Sequence, residues 1–126
     1  MHTLERMKLQ FEALGMWSCI GPLPARRSST LSQNVAPTAS LGIPSHSIAM
    51  VPSQMEMPVK GYVQGRVRFE CYDESNDGAQ AVGRSVAYVI AAKYGRVLSV
   101  YHQDAFSPQG VRWPRYIVEA NIGSKF

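Results

Sequence analysis

Asp73, Glu74, Asp77, His102 and Asp104 are the side chains of this chain best suited to acid–base or metal chemistry. Carboxylates are hard oxygen ligands for divalent cations, and an imidazole beside a carboxylate can take and return a proton. Asp73, Asp77, His102 and Asp104 are therefore the candidate ligands of a small metal-dependent phosphodiesterase or nuclease, the one reading that calls for a cofactor. His102 and Asp104 are two apart, hence on one face if a strand runs through both. The same residue types have an ordinary use as well. Asp73-Glu74-Ser75-Asn76-Asp77 has the composition of a turn followed by a helix cap.

A second set carries binding chemistry. Between Tyr62 and Tyr72 the sequence alternates. Val63, Gly65, Val67, Phe69 and Cys71 take one face. Tyr62, Gln64, Arg66, Arg68, Glu70 and Tyr72 take the other, the pattern of a half-buried strand. Tyr62, Arg66, Arg68 and Tyr72 would give an open sheet face aromatic rings for stacking on bases and guanidiniums for phosphates. Arg112, Trp113 and Arg115 add the same chemistry if their strand lies nearby. A solvated outer face is equally normal for Tyr and Arg. A face of Tyr, Trp and Arg also suits a homo-oligomer or protein-partner interface. There is no GxSxG, HExxH, P-loop or GxGxxG pattern.

These residues need elements to position them. Asp77–Tyr94 reads as the main helix: Val82, Val86, Val89 and Ile90 fall at helical spacing. Asp77 is the expected N-cap, with Gln80 completing a loose capping box, and Gly95 suits a left-handed stop. Gly83, within the helix, suits close approach to a strand. Arg96–His102 reads as a second strand, Ser107-Pro108-Gln109-Gly110 as a turn, and Val111–Ile122 as a third strand. Pro114 points to an edge or a bulge there. The connection from Tyr72 to Arg96 is long enough for a crossover, so its flanking strands should be parallel. The last two should be antiparallel. Both parallel strands then end at one sheet edge, where Asp73, Asp77, His102 and Asp104 arrive and where ligands gather in such sheets.

Ser45–Val51 adds another strand before a turn at Pro52-Ser53-Gln54. The expectation is α+β: a small mixed four-stranded sheet, αββαββ-like, with one main crossover helix packed on one face. Residues 46–126 would form this domain. Residues 1–45 would be an N-terminal short helix and a Pro/Ser-rich arm. In the helix Leu4, Met7, Phe11 and Leu14 line one side. The arm carries Arg26-Arg27-Ser28-Ser29 as a basic run, with Trp17 and Ile20 able to pin its start.

The 126 residues carry 13 Lys and Arg against 9 Asp and Glu, a net charge of +4. That excess permits nucleic-acid binding without requiring it. Cys19 and Cys71 form no CxxC or Cys/His pattern, which argues against a zinc site of standard spacing. No apolar run is long enough to span a membrane. Charges interrupt any signal-peptide core, so a cytoplasmic protein is expected. Three function classes follow: a basic module binding nucleic acid through the Tyr/Arg face, the metal-dependent enzyme at the acidic edge, and an oligomeric or inhibitory interaction module.

Overall fold

The computed structural model describes residues 3–23, 36–59 and 62–125. The chain runs α1 (Thr3–Ala13), β1 (Trp17–Ile20), β2 (Ser47–Val59), β3 (Tyr62–Tyr72) and α2 (Asn76–Val89), which continues as a π-helical turn over Ile90–Tyr94. Then come β4 (Gly95–His102), β5 (Ala105–Phe106), β6 (Arg112–Trp113) and β7 (Arg115–Lys125). The class is α+β. The sheet has five strands where four were expected, in the order β1-β2-β3-β7-β4, and β5 and β6 form a separate two-stranded ribbon.

The extra strand is β1, which pairs parallel to β2 with Cys19 opposite Ala49. Four residues give only two per face, too few for a period to show. β2 also runs further than expected. Pro52, Ser53 and Gln54 lie within it, with a register shift between Pro52 and Gln54 rather than a turn. At that point β1 has ended at Ile20. One side of β2 is therefore unpaired among the described residues, and a proline is tolerated there. Ser53 Oγ donates to the Arg66 carbonyl, 3.1 Å, across the irregularity.

β7 pairs antiparallel with β3 on one side and β4 on the other. β3 and β4 therefore run in the same direction, as their helical connection requires, with β7 between them. Val111–Ile122 was expected as one strand. It is instead broken at the buried Pro114, between β6 and β7. β7 is central, so Pro114 marks neither an edge nor a bulge but the point where the ribbon gives way to the sheet.

One sheet face carries the core. Leu4, Met7 and Phe11 of α1 and Val82, Val86 and Val89 of α2 pack with Ile48, Met50, Val67, Phe69, Cys71, Val118 and Ile122. Phe11 meets Phe69 edge to face. The Tyr94 hydroxyl donates to Gln10 Oε1, 2.9 Å, and so ties the end of the crossover helix to α1. The expected N-terminal short helix, α1, packs into this core, and β1, within the stretch expected as a Pro/Ser-rich arm, pairs in the sheet. The basic run Arg26–Ser29 lies outside the described residues.

Two glycines show how closely layers approach. A Cβ on Gly83 would lie 3.3 Å from the Tyr116 Cβ, so α2 rests directly on β7. Gly95 is not left-handed: its φ is 163°, extended backbone. A Cβ there would overlap the Asn121 carbonyl oxygen, so glycine is required for the contact between β4 and β7. The helix cap also differs from expectation. Ser75, not Asp77, is the N-cap, accepting from the Gly78 N–H at 3.0 Å. Asp77 lies in the first turn, where a negative charge favours the helix dipole.

Candidate functional site

The ends of β3 and β4 share one sheet edge, but the acidic residues there separate into two clasps. Asp73 belongs to the first. Its Oδ1 accepts from the backbone N–H of Glu74 (2.8 Å) and of His46 (3.2 Å), and its Oδ2 lies 3.3 Å from His46 Nδ1. His46 has a left-handed backbone, φ 51°. Asp73 also lies against Gly78, where a Cβ would come within 2.5 Å of its carboxylate. Asp73 thus joins the start of β2 to the start of α2.

The second clasp is built on Asp104. Its Oδ1 lies 2.6 Å from His102 Nε2, and its Oδ2 accepts from Arg112 at 2.8 Å. Arg112 donates to Asn76 Oδ1 as well, 3.1 Å, so the ribbon is tied to the first residue of α2. Burial alone would raise the Asp104 pKa, but the hydrogen bonds from Arg112 and His102 outweigh it and hold the carboxyl below the ordinary value. His102 stacks on Tyr116 with ring centroids 5.2 Å apart. Asp77 is exposed and joins neither clasp. The four residues expected as metal ligands share an edge but do not converge. No group of three or more His, Cys, Asp or Glu among the described residues could hold a metal ion.

The sheet face opposite the helices is divided. In its half towards that same edge, Glu70 is the centre of a connected polar group. Glu70 Oε2 accepts from Arg68 Nε at 3.2 Å and lies 3.7 Å from Arg115; Oε1 accepts from the Tyr72 hydroxyl at 3.1 Å. Gln103 Oε1 accepts from both Arg68 (2.8 Å) and Arg115 (3.1 Å). The Gln103 carbonyl takes a further bond from Arg115 Nε, 2.9 Å. Trp113 packs edge-on against Tyr72 with centroids 6.2 Å apart, and the Arg115 guanidinium lies 5.8 Å from the Tyr72 ring centre. Tyr72 is only 3% exposed. Burial, and then the charge of Glu70, pushes its pKa up from 10.0 to about 12.

The expectation of an exposed Tyr–Arg face is therefore altered here. Tyr72 is covered, and Arg68, Arg112 and Arg115 are engaged with acids of this chain. Alternation fixed which face they occupy but carried no information about the ribbon that returns over them. Tyr62 opens β3 opposite Lys125; its side chain lies outside the described residues.

Between the ribbon and the sheet is a cavity of 520 Å³. Its lining is Glu70 and Tyr72 from β3, Trp113 from β6, Ala105 to Gln109 from β5 and the turn, and Pro22 and Leu23 from beyond β1. Ser107 Oγ holds the turn by accepting from the Gln109 N–H (3.2 Å) and the Val111 N–H (3.1 Å). The Trp113 indole N–H is buried and has no hydrogen-bond partner among the described residues, which costs about 1–3 kcal/mol.

In the other half of the face the described residues include an exposed row. Arg66, Asn121 and Arg96 lie opposite one another on β3, β7 and β4 and are all exposed. Among the described residues neither Arg66 nor Arg96 makes an ion pair. Arg96 and Asn121 were not singled out in the sequence, because they meet Arg66 only through the insertion of β7 between β3 and β4. Phe106 and Glu70 were likewise unremarkable until the ribbon placed them on one cavity.

Cys19 and Cys71 are both free thiols. Cys71 is in the helix-side core, whereas Cys19 shares a row with Ala49 and Glu70 on the opposite face. Among the described residues, no helix is long and apolar enough to cross a membrane. No protein-family model, no curated protein and no solved structure matches this chain.

Proposed function

We propose that this protein is a binding module that takes single-stranded nucleic acid on its outer sheet face, mainly through phosphates. The observation that supports this reading is the row Arg66–Asn121–Arg96. Strands lie ~4.8 Å apart, so the Arg66 and Arg96 backbones are about 10 Å apart, with a neutral hydrogen-bonding amide between them. Two guanidiniums at that separation, without an ion pair among the described residues, can engage neighbouring phosphates of an extended strand. Arg68, next along the same face of β3, is already engaged with Glu70 and Gln103 and is not counted in the row. Tyr72 is no stacking platform in this arrangement; Phe106, 64% exposed, is the aromatic ring available to a base.

The test is a titration of labelled single- and double-stranded oligonucleotides at low and moderate salt. Single strands should bind with an affinity that falls steeply with salt through counterion release. Arg66→Ala and Arg96→Ala should each weaken binding across sequences and lower the salt slope by about one. Absence of binding at low salt would overturn the reading.

A second reading rests on β4, whose outer edge is unpaired among the described residues and which exposes Leu98 and Val100. Such an edge accepts another strand, so self-association through it is the alternative. Light scattering decides this: a stable dimer that Val100→Lys dissociates would favour it.

A further inference from the structure

We propose that the cavity between the ribbon and the sheet binds a nucleobase, with the guanine edge preferred. Its size, 520 Å³, is that of a small-ligand site. Three aromatic side chains reach it from different elements: Tyr72 from β3, Trp113 from β6 and Phe106 from β5. Such walls suit a planar ring. The polar recognition group is Glu70. An ionised carboxylate accepts at about four sites. Glu70 uses one on Oε1 for Tyr72 and one on Oε2 for Arg68, which leaves each oxygen able to accept again.

The charge balance narrows the ligand. Arg68 and Arg115 already lie beside Glu70. An ammonium entering here would meet two like charges for one opposite charge. A neutral donor avoids that repulsion. A ring with two adjacent N–H donors matches the two carboxylate oxygens, and among the common bases guanine presents that fork at N1 and N2. Adenine and cytosine offer an amino group beside a ring acceptor, which would face the carboxylate with like polarity.

A guanine can come from a bound strand or from a free nucleoside. The proposal rests on the sheet-face reading only for the first source. Trp113 supplies the signal once Trp17, the other tryptophan, is replaced by Trp17→Phe. Guanosine, inosine, adenosine and cytidine are titrated into that protein, followed by thymidine oligonucleotides with or without one guanine. Guanosine should change Trp113 emission saturably. Inosine, which lacks the N2 amino group, should bind roughly tenfold more weakly. Glu70→Gln should abolish the preference. Because Glu70 has structural partners, Phe106→Ala at an exposed position provides a second variant and should weaken all four nucleosides. Equal response to guanosine and adenosine, or an unchanged Phe106→Ala, would overturn the proposal. Salt-dependent oligonucleotide binding with no guanosine response removes the cavity proposal and leaves the sheet face standing. A guanosine response without oligonucleotide binding does the reverse.

Discussion

Arg115 and Arg66 stand on the same face of the same sheet, on neighbouring strands, and differ in almost everything else. Arg115 has a side chain only 14% exposed; it lies 3.7 Å from Glu70 and donates to Gln103 and Tyr72. Arg66 is exposed and, among the described residues, makes no ion pair. The ribbon makes the difference. Where it folds back, arginine holds the protein together; where it does not, arginine is exposed and makes no ion pair among the described residues. A guanidinium on a sheet face is thus evidence of a ligand only after its own chain's carboxylates have been accounted for.

The contrast can be broken most severely at Arg115. Arg115→Ala leaves Glu70 partly buried with Arg68 as its one remaining cation among the described residues and strips a donor from Tyr72. It should lower unfolding free energy by about 3 kcal/mol in a denaturant titration. A loss below half a kcal/mol would mean that the covered half is not the structural half.

Next is Tyr72. Its folded pKa of about 12 lies above the ordinary 10.0, so folding favours its protonated, neutral form. The stability linked to this is complete below pH 10 and is lost as pH rises from 10 through 12. Its full extent is about 2–3 kcal/mol, and Tyr72→Phe should flatten that part of the stability curve. An alkaline limb that Tyr72→Phe leaves unchanged would place the titration elsewhere.

Asp104→Asn should have a smaller effect, about 1 kcal/mol, because its partners are partly exposed. Its distinct signature should be faster amide exchange in β5 and β6, since the clasp from Arg112 to the start of α2 loses its anion. The smallest change should come from Arg66→Ala, within about half a kcal/mol of the parent in stability. A clearly destabilised Arg66→Ala would erase the contrast between the two arginines.

The sequence made some of this readable and hid the rest for identifiable reasons. β3 was legible to its last residue because strict alternation persists from Tyr62 to Tyr72. α2 was legible from the spacing of Val82, Val86 and Val89, and the turn at 107–110 from Pro108 and Gly110. The cap was misplaced by two residues because Ser75, Asn76 and Asp77 all have capping side chains, and only geometry selects Ser75. β1 was hidden by its length. At the acidic edge the shared location of Asp73, His102 and Asp104 followed from strand direction. Their separation did not, since His46, whose backbone captures Asp73, comes from a segment read only as the start of a strand. The open arginine row was invisible for a similar reason: Arg66, Arg96 and Asn121 are far apart in the chain and adjacent only once β7 is in place.

That placement of β7 has a kinetic consequence. β3 and β4 never pair with each other; every ladder hydrogen bond that joins them passes through the strand that comes last in the sequence. A nascent or refolding chain can form the β2–β3 hairpin and the α2 helix from local contacts. β4 and β7 can pair just as locally, because the connection between them is short and carries its own ribbon. The non-local step is the docking of β7 onto β3 across the whole crossover, and closure of this sheet should be limited by it. Until then the facing edges of β3 and β7 are exposed to other chains, the state in which aggregation competes with folding.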